Sequence, residues 1–252
     1  MKQVPADFLL VDVSNSFTKV ALASRTRVGR AIRMSTAELS ANRLDQILRK
    51  RGGARTIVAC SVVPKKNRKI EQAAGKRPII WLTPNVRLNV RIDYPNPRSI
   101  GPDRLANAVA VTELYGPPAI VIDFGTAVTF DIVAANRGYI GGVIAPGLEA
   151  MTNFLYDRTA LLPRISLREP QRAVGKSTYQ AMLAGAIFGY RGLVRGILGR
   201  IVREQFPKTR LHVVATGGYA KLIARQLPEV EAVHQNLTLE GLRLVGCMNE
   251  RA

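Results

Sequence analysis

Two short stretches carry the residue types needed to hold a phosphate. Asp12-Val13-Ser14-Asn15-Ser16-Phe17-Thr18-Lys19 follows an apolar run from Phe8, and Asp123-Phe124-Gly125-Thr126 follows another from Ala119. In each, an apolar strand ends on a carboxylate and then on small hydrogen-bonding residues. Such a turn presents backbone N–H groups and hydroxyls to phosphate oxygens, and its Asp can hold a hard cation or that cation's water. One stretch of this kind, standing alone, reads as a capped strand end. Here it occurs twice. At a fixed offset Asp12 falls on Asp123, Ser14 on Gly125, Asn15 on Thr126 and Thr18 on Thr129. A single repeat is too few for a solenoid and suits a duplicated domain.

Other nucleotide signatures fail. Gly175-Lys176-Ser177 imitates the end of a P-loop, but Pro170 stands where the opening glycine belongs and no strand leads in. No dinucleotide-type glycine fingerprint follows a strand. His212 and His234 have no second ligand or nucleophile beside them, and Met151, Met182, Met248 and Trp81 sit among apolar neighbours.

The elements that must position these residues are legible from periodicity. Phe8–Val13 and Lys19–Ala23 read as a strand hairpin with a polar turn, and Ala119–Val133 repeats the pattern. Helical spacing covers Ser40–Arg51 and Asp103–Tyr115, with a buried strand at Thr56–Val63 between them. Gly138–Gly147 reads as a further hairpin arm, and Leu148–Leu162, Thr178–Arg203 and Ala220–Gln226 as helices. Gly116-Pro117-Pro118 breaks the chain between the two halves. The expectation is a mixed α/β protein of two related domains, 1–116 and 117–252, around a cleft.

Composition narrows the class. The chain has 252 residues, 47% of them hydrophobic, enough for two modest cores. Cys60 and Cys247 lie far apart, which gives neither a disulfide framework nor a zinc spacing and suits a reducing cytosol. No secretory segment and no membrane-spanning stretch is expected. The net charge of +19 allows a polyanion partner. Its basic residues are scattered and not interleaved with aromatics, which argues against nucleic acid as the main partner.

The same residues resemble a family. Asp12–Lys19, Gly101-Pro102-Asp103-Arg104, Asp123-Phe124-Gly125-Thr126-Ala127, Gly141–Gly147, Ala215-Thr216-Gly217-Gly218 and Thr238-Leu239-Glu240-Gly241-Leu242 are similar, in order and spacing, to the type III pantothenate kinases. The resemblance spans nearly the whole chain. It implies the duplicated ribonuclease H-like (actin-like ATPase) fold of acetate and sugar kinases, heat-shock chaperones and actin. It also implies a cytoplasmic homodimer and transfer of a phosphoryl group from ATP to pantothenate, the first step towards coenzyme A.

Carried over by motif, Asp12, Val13, Ser14, Asn15, Ser16, Phe17, Thr18 and Lys19 form the first phosphate loop, with Asp12 near Mg²⁺. The resemblance also implies that Asp123 would bind a monovalent cation, potassium or ammonium, while Thr126, Gly217 and Gly218 would meet ATP. By the same resemblance Tyr94, Gly101, Pro102, Asp103, Arg104 and Thr178 would line the pantothenate site, with Asp103 as catalytic base. The residues alone also allow Asp103 to be a helix N-cap. Ser14 and Phe17 depart from the family's glycine and polar residue, and Pro102 from its alanine. A serine where glycine is usual implies either strain at positive φ or a different turn. These departures and the charge motivate the alternative, a kinase-derived regulatory or nucleic-acid-binding protein with weak or no activity.

Overall fold

The computed structural model describes residues 6–50 and 52–250. Along the chain come β1 (Ala6–Val13), β2 (Phe17–Ala23), β3 (Ile32–Ser35), α1 (Ala41–Lys50), β4 (Ala54–Ser61) and α2 (Pro64–Ala74). They are followed by β5 (Ile79–Trp81), β6 (Arg91–Ile92), α3 (Pro102–Leu114), β7 (Ala119–Phe124), β8 (Ala127–Val133) and β9 (Gly138–Pro146). The last elements are α4 (Leu148–Arg158), α5 (Thr178–Gln205), β10 (His212–Thr216), α6 (Ala220–Ala224), β11 (Ala232–Val233) and α7 (Leu237–Asn249). Two compact units result. One comprises the described residues of Met1–Gly116, Asn136–Ile140 and Asn236–Ala252, the other Pro117–Ala135 and Gly141–Gln235.

In the first unit the sheet order is β3-β2-β1-β4-β5. β1, β2 and β3 form an antiparallel meander, while β4 runs parallel to β1 and β5 parallel to β4. Side chains alternate between the two faces of a strand. Leu9, Val11 and Val13 therefore share one core with Val20, Leu22, Ile57 and Ala59, closed by Leu44 and Leu48 of α1 and Ile70, Ala73 and Ala74 of α2. On α7, Leu242 and Val245 are buried where the helix packs on β1, β4 and α3. A buried hydrogen bond, donated by Thr238 Oγ1 to Asn107 Oδ1 over 2.9 Å, ties α7 to α3.

α2 has no counterpart in the periodicity reading, because Lys65, Lys66, Arg68 and Lys69 precede its short apolar stripe. That basic run is the outer face of an amphipathic helix. Lys66 Nζ donates to the Ala37 carbonyl at 2.9 Å, and Lys65, Arg68 and Lys69 are exposed.

The second unit repeats the strand arrangement. β7 pairs antiparallel with β8 and parallel with β10, and β11 lies parallel beyond β10. The sheet order is β11-β10-β7-β8-β9, with the two-residue β6 beside the start of β9. Counted from the third strand of each set, both sheets run third, second, first, fourth, fifth. Strand order, not the sequence alone, establishes the duplication.

α5 differs from the sequence expectation. Its 28 residues include an eighteen-residue window of mean hydropathy 1.3, so among the described residues one helix is long and apolar enough to cross a membrane. Its inner face (Leu183, Ile187, Tyr190, Val194, Leu198) is buried, and Arg191 is buried with it. The Arg191 guanidinium forks onto Glu169 at 2.8 and 2.7 Å and also donates to the Leu222 and Ile223 carbonyls. This pairing holds the Glu169 carboxyl below its ordinary range. A guanidinium so paired marks a helix packed in a protein core.

Candidate active site

The first turn joins β1 to β2. Four residues separate the last paired positions, Val13 and Thr18, and the Ser14 N–H closes the turn on the Phe17 carbonyl at 3.1 Å. Thr36 straps it from outside: its hydroxyl donates to the Ser14 carbonyl at 2.7 Å and lies 3.0 Å from the Thr18 hydroxyl. The Thr36 N–H donates to the Ser16 carbonyl. Among the described residues the non-glycine positions at positive φ are Arg137 and Lys208. Ser14 is therefore not held at positive φ, and the turn needs no glycine at this position. Ser14, Asn15, Ser16, Phe17 and Lys19 reach solvent to differing degrees. Val13 and Thr18 turn inward, so anything they offer a phosphate is backbone.

Asp12 is 5% exposed, on the opposite face from Val11 and Val13. Its Oδ1 accepts from Ser14 Oγ at 3.3 Å and from Cys60 Sγ at 3.5 Å. The register lines up Arg33, Lys19, Asp12 and Cys60 in one row across β3, β2, β1 and β4.

Asp103 stands in the first turn of α3, after Gly101 and Pro102, and is not the N-cap; Gly101 is. Proline suits this first position because its missing N–H would have had no helical partner. The Asp103 Oδ1 accepts from the Arg104 N–H at 2.9 Å, and a side chain at Gly101 would come within 2.6 Å of that oxygen. Negative charge is favourable at a helix N-terminus. Burial, then the charge of Asp12, then that of Asp103 push the Cys60 thiol well above its ordinary range. Both carboxylates thus act on one buried point. Cys60 is held protonated and donates to Asp12.

Tyr94 and Arg104 meet at Tyr139. The Tyr94 and Tyr139 rings stand edge-on with centroids 6.3 Å apart, and the Arg104 guanidinium lies 5.8 Å from the centre of the Tyr139 ring. Tyr139 is fully buried; Tyr94 is half exposed. The sequence alone gives neither Cys60 nor Tyr139 a place at the site. Only strand register and the pairing of β9 with β6 bring them to these positions.

The second turn joins β7 to β8 and is shorter, with three residues between Phe124 and Val128. Asp123 is therefore opposite Thr129, whereas Asp12 is opposite Lys19. The structural counterpart of Thr129 is Lys19, and that of Thr18 is the buried Val128. This corrects the sequence superposition of Thr18 on Thr129: one residue fewer in the turn moves every later residue to the other face.

Glycines wall this second turn. Gly147 donates from its N–H to the Thr126 carbonyl at 3.1 Å, and a side chain there would come within 2.2 Å of that oxygen. Gly217 follows β10 with φ +95°, and a side chain there would press within 2.5 Å of Asp123 Oδ1. Asp123, Thr126 and Gly217 are thus brought together in the second unit, with Gly218 next to them and exposed. Thr178 opens α5 and is exposed, just after Ser177, whose Oγ accepts from the Gln180 N–H at 3.2 Å. The imitation P-loop is this helix cap.

Comparison with known proteins agrees with the architecture. A family model for type III pantothenate kinase matches residues 8–200. The chain is 46% identical over 245 residues to a type III pantothenate kinase of Akkermansia muciniphila, covering 96% of this chain and 99% of that one. It is 43% identical over 238 residues to one of Methylacidiphilum infernorum, covering 94% and 87%. Among solved structures, a ROK hexokinase of Thermus thermophilus superposes with a TM-score of 0.51 at 15% identity, covering 94% of this chain and 97% of that one. That likeness concerns the fold, the duplicated ribonuclease H-like arrangement already seen in the two strand orders. With motif, topology and overall identity in agreement, the chain belongs to the type III pantothenate kinase family.

Proposed function

We propose that the chain transfers the γ-phosphoryl group of ATP to the hydroxyl of pantothenate, giving phosphopantothenate, with Asp103 orienting that hydroxyl and accepting its proton. What most supports this reading is that the Asp12 carboxylate, accepting from Cys60 Sγ at 3.5 Å, and the Asp103 carboxylate at the start of α3 both lie close enough to that thiol to raise it. In-line transfer passes through a loose transition state that needs positioning and charge neutralisation more than a strong base. A carboxylate within hydrogen-bond reach of the hydroxyl suffices as proton acceptor.

In this reading the first turn holds the phosphates through its N–H groups and hydroxyls, and Tyr94, Gly101, Arg104 and Thr178 hold pantothenate. Thr126, Gly217 and Gly218 approach ATP. Asp12, the carboxylate at the end of β1 beside the turn, would be the protein ligand for a divalent ion. Mg²⁺ suits such a place, since it commonly takes one or two carboxylates and completes its shell with phosphate oxygens and water. When bound it neutralises charge on the phosphates. Asp123, closed in by Gly217, is the assigned carboxylate for potassium or ammonium.

A homodimer is favoured by Met151, Phe154, Leu155 and Tyr156 on α4, where Phe154 is 60% exposed, and by Leu161 just beyond. An apolar patch of this kind calls for a covering surface. The use of ATP and the two free cysteines suit the cytosol. A polyanion-binding role gains no support from α2, whose basic residues are a solvated helix face.

The test is ADP release by the purified protein with ATP, Mg²⁺ and potassium, with and without pantothenate. Pantothenate-dependent release is expected, and Asp103→Asn should lower it roughly 10²–10⁴-fold. Release indifferent to pantothenate would overturn the substrate. Full activity in Asp103→Asn would overturn the role of the base.

A further inference from the structure

The first turn has a basic neighbour outside its own stretch of sequence. Arg33 on β3 lies with its guanidinium carbon 3.3 Å from the centre of the Phe17 ring. Phe17 opens β2 directly after the turn, and its ring is 38% exposed beside Ser14, Asn15 and Ser16. The register sets Arg33 opposite Lys19, and Lys19 opposite Asp12, so the guanidinium shares a row with the carboxylate of the turn.

An exposed arginine ordinarily samples many rotamers. Stacking its plane on an aromatic ring fixes it without using a single N–H donor. Among the described residues no oxygen accepts from the Arg33 guanidinium. Its fork of donors remains available to oxyanions, and phosphate oxygens match that fork. A half-exposed phenyl ring at the rim of a polar turn gains little from burial. As a platform for a guanidinium it has a use.

We infer that Arg33, held over the Phe17 ring, is a further phosphate contact of the first turn and strengthens its hold on the nucleotide. This rests on reading that turn as the phosphate loop. The pair supplies positive charge at the rim of a turn that Ser14 builds without glycine.

The experiment compares Arg33→Ala, Arg33→Lys, Phe17→Ala and the double variant, varying ATP and pantothenate separately and measuring ATP binding at equilibrium alongside. Arg33→Ala should raise KM and Kd for ATP about 10-fold, the loss of one charge-assisted contact. The KM for pantothenate and the melting temperature should not move. Arg33→Lys keeps the charge but not the plane and should recover part of the loss. Phe17→Ala should weaken ATP about 3-fold, as expected for an exposed cation–π contact. The double variant should be no weaker than Arg33→Ala, because the ring acts only through the guanidinium.

A Kd for ATP within twofold of the parent in Arg33→Ala overturns the inference, whatever the turnover. So does an equal rise in both KM values, or additive losses in the double variant. Absence of pantothenate-dependent turnover in the parent protein would instead strike at the proposed function, while the binding measurement would still judge Arg33.

Discussion

The two hairpin turns do related work with different materials. The first, between Val13 and Thr18, has four residues, no glycine, and a shape held by the Thr36 hydroxyl and amide. The second, between Phe124 and Val128, has three residues and lies against Gly147 and Gly217, which leave no room for side chains. One turn is strapped by side chains; the other is moulded by backbone. Duplicated architecture therefore fixes where an Asp ends a strand, and leaves open how the loop after it is supported. A side-chain strap tolerates substitution one bond at a time. A backbone mould does not.

The largest expected break is at the mould. Gly147→Ala would put a methyl group 2.2 Å from the Thr126 carbonyl oxygen, and the helix α4 that starts there cannot easily move away. Overpacking against backbone should cost about 3 kcal/mol. For a chain of this length that lowers the melting temperature by roughly 6–12 °C, readable by calorimetry. A shift of a degree or less would mean that the second turn is as yielding as the first.

The strap should give a smaller effect. Thr36→Val removes the hydroxyl shared by Thr18 and the Ser14 carbonyl but keeps shape and volume. Leaving those buried partners unmatched should cost about 2 kcal/mol in urea unfolding. The KM for ATP should rise as the turn loosens. If stability falls and ATP binding does not, the strap serves the sheet and not the turn.

Ser14→Gly should do least. Ser14 is not at positive φ, so glycine relieves no strain and adds freedom to the unfolded chain. A destabilisation within about 1 kcal/mol is expected. A clear gain in stability would show that the serine was strained after all, and would erase the contrast between the turns.

Much of this arrangement was legible before any coordinates. Apolar runs announce β1, β2, β7 and β8, an Asp and small polar residues announce both turns, and apolar spacing from Asp103 announces α3. The remainder depends on pairing between distant strands. Cys60 stands beside Asp12 because β4 returns parallel to β1 after a crossover. Tyr139 reaches Tyr94 because β6 adds to β9. The offset between Thr18 and Thr129 failed because a linear superposition cannot see a turn one residue shorter. Arg33 looked like one of several scattered cations until β3 was laid against β2.

The last helix has a consequence for how the molecule is made. α7 packs on β1, β4 and α3, all synthesised before the second unit begins, yet it emerges only after that unit is finished. During translation the part of the first sheet that α7 covers stays open while the intervening strands and helices leave the ribosome. Truncations that remove α7 should therefore disturb the unit that was translated first.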